Sequence, residues 1–111
     1  MVKYCGYLVG EGWLLRRGIE LGNEPPRTRS EQLSLILLAS RITRLDTGVY
    51  TYTRFRQVKT PQGKVFWCIA FASDDACDSK DLPTSRPPEE KYKALQELLQ
   101  KKGPPRWFRG S

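Results

Sequence analysis

The middle of the chain alternates apolar and polar side chains with the two-residue period of a β-strand. Residues 50–59 and 64–72 are rich in β-branched and aromatic side chains, and the four residues between them include a proline and a glycine. A type I turn in which Gly63 takes the left-handed position of a G1 bulge places Phe55 opposite Ile69. The pattern therefore predicts an antiparallel hairpin with a defined register.

This register sorts the hairpin side chains onto two chemically different faces. The predicted core face carries large apolar side chains: Phe55, Val65, Trp67, Ile69 and Phe71. The opposite face, predicted to meet solvent, carries aromatic and basic side chains beside small ones, with two apolar side chains near the turn: Tyr50, Tyr52, Arg54, Arg56, Cys68, Ala70, Ala72, Val58 and Phe66. A slip of one residue would mix the two sets, so the bulged register is favoured.

Two segments have the spacing of helices. Thr28 and Glu31 match a capping box, and the apolar residues that follow occupy more than one flank as far as Ile42. This pattern predicts a first helix that is largely buried against a sheet. A second helix with a narrower apolar stripe is predicted between the Pro-Pro-Glu-Glu segment and Gly103.

The N-terminal quarter is predicted to be a second hairpin. Residues 2–9 are mostly apolar, and Gly10 and Gly12 suit a tight turn into a second strand over residues 13–17. Residues 18–29 contain Gly-Asn and Pro-Pro pairs, which indicate a loop.

These elements together predict an α+β fold. Residues 1–103 are expected to form a single two-layer domain in which two helices pack on an antiparallel sheet of four to five strands. Residues 104–111 are expected to form a short basic and aromatic C-terminal tail. The order strand–strand–helix–strand–strand–helix is similar to that of longin and profilin-like trafficking modules, a similarity of element order alone.

Composition limits the chemistry that the chain can perform. It has 111 residues, with 19 Lys and Arg against 12 Asp and Glu, a formal net charge of +7 and no histidine. The absence of histidine excludes histidine general bases, histidine-assisted nucleophiles and histidine-containing zinc sites. No apolar run approaches the roughly 18–20 residues that cross a bilayer, and three cysteines without a C-x-x-C pair are typical of reduced thiols. We therefore expect a soluble intracellular protein.

Positive charge is concentrated in two segments. Residues 28–60 carry six basic and two acidic side chains, and residues 82–111 carry seven and three. Guanidinium groups on one strand face can bind phosphates while aromatic rings stack on bases, which favours a small non-enzymatic module that binds nucleic acid. The predicted nucleic-acid-binding residues are Tyr50, Tyr52, Arg54, Arg56, Arg41 and Arg44. The alternatives are that they are ordinary side chains of a solvent-facing sheet, or that the C-terminal helix covers part of this face.

A protein-interaction adaptor is the second interpretation. The C-terminal segment would supply a short linear anchor, because Trp and Arg are enriched at interface hot spots. Its predicted partner-binding residues are Arg106, Trp107, Phe108 and Arg109, and a sheet edge is the other candidate surface. Trp107 folding back onto the domain's own core is the competing interpretation.

A small enzyme that uses carboxylates or cysteine without histidine is the third interpretation. Asp74, Asp75, Asp78 and Asp81 lie in one predicted loop without the ligand spacing of an EF-hand, so a solvated loop is favoured. Asp74 is the one candidate metal ligand, and Cys77 is the thiol to test for reactivity. The sequence assigns no catalytic residue, metal site or cofactor.

Overall fold

The computed structural model describes residues 2–75 and 82–110, which form an antiparallel four-stranded sheet and three α-helices. The strands are β1 Lys3–Val9, β2 Arg54–Lys59, β3 Val65–Ser73 and β4 Arg106–Gly110. The helices are α1 Glu11–Glu20, α2 Arg29–Asp46 and α3 Glu89–Leu99, with a 3-10 turn at Tyr50–Tyr52. The predicted α+β class and antiparallel sheet are confirmed.

The sheet closes on itself in the order β1-β3-β2-β4. β4 pairs with β1 along four residues, and it meets β2 through Val58 with Gly110 and Lys59 with Arg109. The segment predicted as a C-terminal tail is therefore the strand that closes the sheet. The sequence does not predict this strand, because the adjacent aromatic residues Trp107 and Phe108 break the alternation of apolar and polar side chains that is typical of a longer strand.

The predicted register of the central hairpin is confirmed. Phe55 pairs with Ile69, and Gly63 has a φ of +83°. The turn is held by two backbone hydrogen bonds of 2.9 Å, from Thr60 N to the Lys64 carbonyl and from Gly63 N to the Thr60 carbonyl. The strand is shorter than predicted, however, because residues 50–52 form the 3-10 turn and the ladder ends at Arg54.

The predicted second N-terminal strand is wrong, because residues 11–20 form helix α1 instead. The short run Trp13-Leu14-Leu15 fits either element, and packing decides between them. Leu14 and Gly18 lie four residues apart and are the buried positions of α1. A Cβ on Gly18 would lie 2.5 Å from Leu35 of α2, so the absence of a side chain there lets the two helices pack closely. The observed order of elements roughly matches the predicted one, with helix α1 in place of the second strand and β4 added after the last helix.

The closed sheet has apolar side chains on both faces. On its outer face the helices cover a core that includes Ile36, Ile69 and Phe71. On its inner face a second, smaller core contains Tyr4, Val58, Cys68, Ala70 and Leu82. The face of the hairpin that the pattern assigned to solvent is thus enclosed along much of its length.

Helix α2 begins with the predicted capping box, in which Thr28 Oγ1 accepts a 3.1 Å hydrogen bond from Glu31 N. Only one side of the helix is buried, so the expectation of a largely buried helix is wrong. Its exposed large apolar side chains are Leu33, Leu37, Leu38 and Leu45. Leu37 and Leu45 each retain 54% of their exposure.

Gly6 provides a direct test of the narrow interior of the sheet. A Cβ at this position would lie 2.1 Å from the Ile69 carbonyl oxygen and 2.8 Å from Cys68 Sγ, whereas a Cβ at Gly12 would meet nothing within 4 Å. We expect Gly6→Ala to lower the free energy of unfolding by about 3 kcal/mol or more. Gly12→Ala is the matched control and should be neutral or raise it by up to about 1 kcal/mol. Urea unfolding followed by circular dichroism measures both; equal midpoints would contradict the closed interior.

Candidate nucleic-acid interface

Arg44, near the C-terminal end of α2, holds the entry to β2 in place. Its Nε donates to Thr53 Oγ1 at 2.8 Å, and its Nη2 donates to the carbonyl oxygens of Tyr50, at 3.0 Å, and Thr53. Thr53 Oγ1 in turn donates to the Val49 carbonyl at 2.8 Å. The guanidinium therefore connects the helix to the 3-10 turn and to the first residue after it, which makes Arg44 largely a structural residue.

The surroundings of Arg44 show that the predicted arginines lie close together. Burial lowers the pKa of Arg44, and the positive charges of Arg54, Arg56 and Arg41 lower it further, while Tyr50 opposes them. The Tyr50 ring stacks on the guanidinium, with Arg44 Cζ 4.6 Å from the ring centroid. We call Arg41, Arg44, Arg54 and Arg56 the arginine cluster.

The members of the arginine cluster differ in their exposure and in their hydrogen bonds to the backbone. Arg54 Nη1 donates to the Thr53 carbonyl at 2.7 Å, and Arg56 Nη1 donates to the Phe55 carbonyl at 3.2 Å. Both side chains are half-buried, whereas Arg41 is exposed on α2. A guanidinium carries five N–H donors, so one carbonyl contact leaves Arg56 with donors for a phosphate.

Tyr52 does not belong to this site, although the alternating pattern placed it there. Its hydroxyl donates to the Lys91 carbonyl of α3 at 3.1 Å, and Lys91 Nζ lies 5.2 Å from its ring centroid. Its ring also packs against Phe71 of the outer core, with 6.2 Å between centroids. The 3-10 turn rotates Tyr52 away from Arg54, because alternation of faces holds only in extended backbone.

The residues predicted to bind a protein partner as a tail are distributed over both faces of β4. Phe108 packs against the inner core, and Trp107 is half-buried on the outer face. Arg106 and Arg109 are exposed. The competing interpretation, in which Trp107 returns to the domain, describes this arrangement better than a free linear anchor.

Two lysines next to β4 were not singled out from the sequence. Lys3 of β1 pairs with Arg109, and Arg109 also pairs with Lys59 of β2. No local pattern could reveal this grouping, because the three residues come from distant parts of the chain and meet only when the sheet closes.

The candidates for metal binding and thiol chemistry find little support among the described residues. Asp74 Oδ1 accepts a hydrogen bond from Lys3 N at 2.7 Å, and residues 2–75 and 82–110 contain no group of three Cys, Asp or Glu side chains arranged to hold a metal. Cys77, Asp78 and Asp81 lie outside the described residues. Burial raises the pKa of the Cys68 thiol and of the Cys5 thiol, the latter against a smaller lowering by Arg86, which disfavours the nucleophilic thiolate.

Comparison with protein-family models, with curated proteins and with solved structures finds no match to this chain. None of the helices in the part of the chain that the structure describes has both the length and the apolar character to cross a membrane.

The different roles of Arg44 and Arg41 can be separated by stability measurements. Arg44→Gln removes charged hydrogen bonds to Thr53 and to the Tyr50 carbonyl, and we expect the free energy of unfolding to fall by about 2 kcal/mol. Arg41→Gln removes the same charge from an exposed position and should change it by less than about 0.5 kcal/mol. Thermal or urea unfolding compares the two, and equal effects would contradict the structural role of Arg44.

Proposed function

We propose that this protein is a small basic module that binds nucleic acid through its phosphates. The observation that carries the proposal is the concentration of Arg41, Arg44, Arg54 and Arg56 on one region of a chain with a net charge of +7. Three guanidinium groups within electrostatic reach of Arg44 favour a polyanion, which neutralises several of the four charges at once.

The contacts of the arginine cluster support different roles for its members in binding phosphate. Arg44 donates hydrogen bonds to Thr53 and Tyr50 and so fixes the backbone that leads into β2. Its positive charge attracts the polyanion without a direct contact to phosphate. Arg41, Arg54 and Arg56 are the proposed phosphate ligands, because a planar guanidinium can bind two phosphate oxygens at once. Tyr50, already stacked on Arg44, borders the site and offers an aromatic surface to a base.

The arginine cluster is tested with the double variant Arg54→Gln/Arg56→Gln. We expect its Kd for a fluorescein-labelled 20-nucleotide oligothymidine to rise at least tenfold at about 50 mM salt, because two phosphate contacts are lost. The slope of log K against log salt should become less steep by about 1.4, at about 0.7 for each single-strand contact. Fluorescence-anisotropy titrations at several salt concentrations measure both quantities.

The matched control is Lys93→Gln/Lys102→Gln, which removes the same charge from exposed positions in the middle of α3 and beyond its C-terminal end. It should bind like the wild type. Equal weakening by the two double variants would mean that net charge alone governs binding and would overturn the arginine cluster as the site. Absence of binding by the wild-type protein at low salt would overturn the function itself.

Protein binding is a second candidate function, and the exposed leucines of α2 favour it. Leu37 and Leu45 lie two turns apart on the same side of the helix, with exposed Arg41 between them. A cleft of about 530 Å³ adjoins the N-terminal half of α2, and its lining includes Leu38, Ser34, Arg27, Glu24 and Glu31. Leucines flanked by arginines are complementary to an acidic amphipathic helix, which we propose as the occupant. The surfaces expected from the sequence, a tail and a sheet edge, are used by β4 itself.

A synthetic acidic helix with leucines at positions i, i+3, i+4 and i+7 is the probe for this second function. We expect Leu37→Ser to weaken its binding at least tenfold, since a buried leucine contributes about 2 kcal/mol. Val65→Ser removes another exposed apolar side chain, from β3, and should leave binding unchanged. Anisotropy of the labelled peptide provides the measurement; equal binding by both variants would remove α2 from consideration.

A further inference from the structure

A second group of basic side chains lies across three neighbouring strands. Lys3 pairs with Arg109, and Arg109 pairs with Lys59. Paired residues of antiparallel strands project from the same face, and neighbouring strands are about 4.8 Å apart, so the three cations form a row about 10 Å long. We call these three residues the cationic row.

The cationic row faces outward. Val58 and Phe108, which precede Lys59 and Arg109 in the chain, both contribute to the inner core. Because side chains alternate along a strand, Lys59 and Arg109 project from the outer face, and both are exposed.

The row places like charges directly opposite each other twice, an arrangement that is destabilising in a sheet. Among residues 2–75 and 82–110, no carboxylate forms an ion pair with Lys59 or Arg109. At the Lys3 end, the carboxylate of Asp74 accepts a hydrogen bond from the backbone N–H of Lys3 at 2.7 Å. Positive charge is therefore strongest at the Lys59 and Arg109 end, where a bound anion would relieve the repulsion.

An aromatic side chain lies next to this charge. Trp107 precedes Arg109 by two residues, so it projects from the same face of β4, and it is half-buried. Together with Lys59, Pro61 and Arg109 it lines a groove of about 460 Å³. An indole beside two cations suits a nucleotide, because a base can stack on the ring while its phosphate meets the cations.

We propose that the cationic row is a second phosphate-binding surface, at which Lys59 and Arg109 bind the backbone of a single-stranded nucleic acid and Trp107 stacks on one of its bases. A single strand is required because the bases of a duplex are stacked on each other and are not open to the indole. This inference rests on the proposed function, since the ligand is the same polymer. Lys59 and Arg54 are at opposite ends of β2, about 16 Å apart at about 3.3 Å per residue, and they project from opposite faces of the strand, so the cationic row and the arginine cluster are separate surfaces.

The test compares Lys59→Gln/Arg109→Gln with Arg54→Gln/Arg56→Gln and with the control Lys93→Gln/Lys102→Gln. The probes are the labelled 20-nucleotide oligothymidine, its duplex with oligoadenosine, and inorganic phosphate as a competitor. We expect the row variant to raise the Kd for the single strand at least tenfold and to lower the salt slope by about 1.4. Its thermal unfolding midpoint should equal or exceed that of the wild type, because like charges have been removed.

Trp107 is tested separately with Trp107→Leu. We expect this variant to weaken binding of the single strand at least fivefold while leaving binding of the duplex within twofold, since a base stack is lost but phosphate contacts remain. A thermal unfolding curve confirms that the variant is folded. If Trp107→Leu does not fold, quenching of tryptophan fluorescence by oligothymidine is measured instead in the wild type and in Lys59→Gln/Arg109→Gln. We expect quenching in the wild type and its loss in the row variant.

The outcomes separate this inference from the proposed function. A row variant that binds like the control while the Arg54/Arg56 variant is weakened would overturn the cationic row and leave the arginine cluster standing. The reverse result would support the row and remove the arginine cluster as the site. Displacement of the oligonucleotide by inorganic phosphate at an equal concentration of phosphate groups would assign the row to free phosphate and overturn the strand proposal. A wild-type protein that binds neither probe would overturn both.

Discussion

The closure of only four strands into one sheet is the constraint on which the rest of the structure depends. Eight strands are needed before the interior of a closed sheet accommodates ordinary side chains, so four strands require small ones where the walls approach. Gly6, Cys68 and Ala70 meet this requirement on β1 and β3. Several of the larger apolar side chains, such as Ile69 and Phe71, are directed outward, where the helices cover them. The long basic side chains of β2 occupy positions at which the closed interior ends.

Closure also explains why positive charge collects in two places. Arg54 and Arg56 share the inner face with Val58, yet only Val58 lies where β2 is closed off by β4. Arg54 and Arg56 lie beyond that point, and their charges act on Arg44. The hydrogen bonds of Arg44 fix the backbone that leads into β2. The second concentration arises where β1, β4 and β2 are adjacent, and it exists only because the last strand completes the sheet.

The parts of the fold that could be predicted are those specified by neighbours in sequence. The hairpin register follows from Gly63 and the alternation on either side of it, and the start of α2 follows from Thr28 and Glu31. Helix α1 and strand β4 could not be predicted, because each is short and is decided by packing against distant segments. The proposed site was predictable to the same extent: alternation assigned Arg54 and Arg56 to one face of β2, whereas the position of Tyr52 depends on a 3-10 turn that ends the alternation.

The long separation between partners in the sheet has a consequence for how the chain folds. The contact between Cys5 and Pro105 spans 100 residues, and that between Tyr7 and Gly103 spans 96. Such non-local contacts form slowly because large loops must close first. Until the final strand docks, one edge of β1 keeps its amide and carbonyl groups unsatisfied, and it can recruit an extended segment from another molecule. Refolding at high protein concentration should therefore favour intermolecular strand exchange, and dilution should favour the monomer.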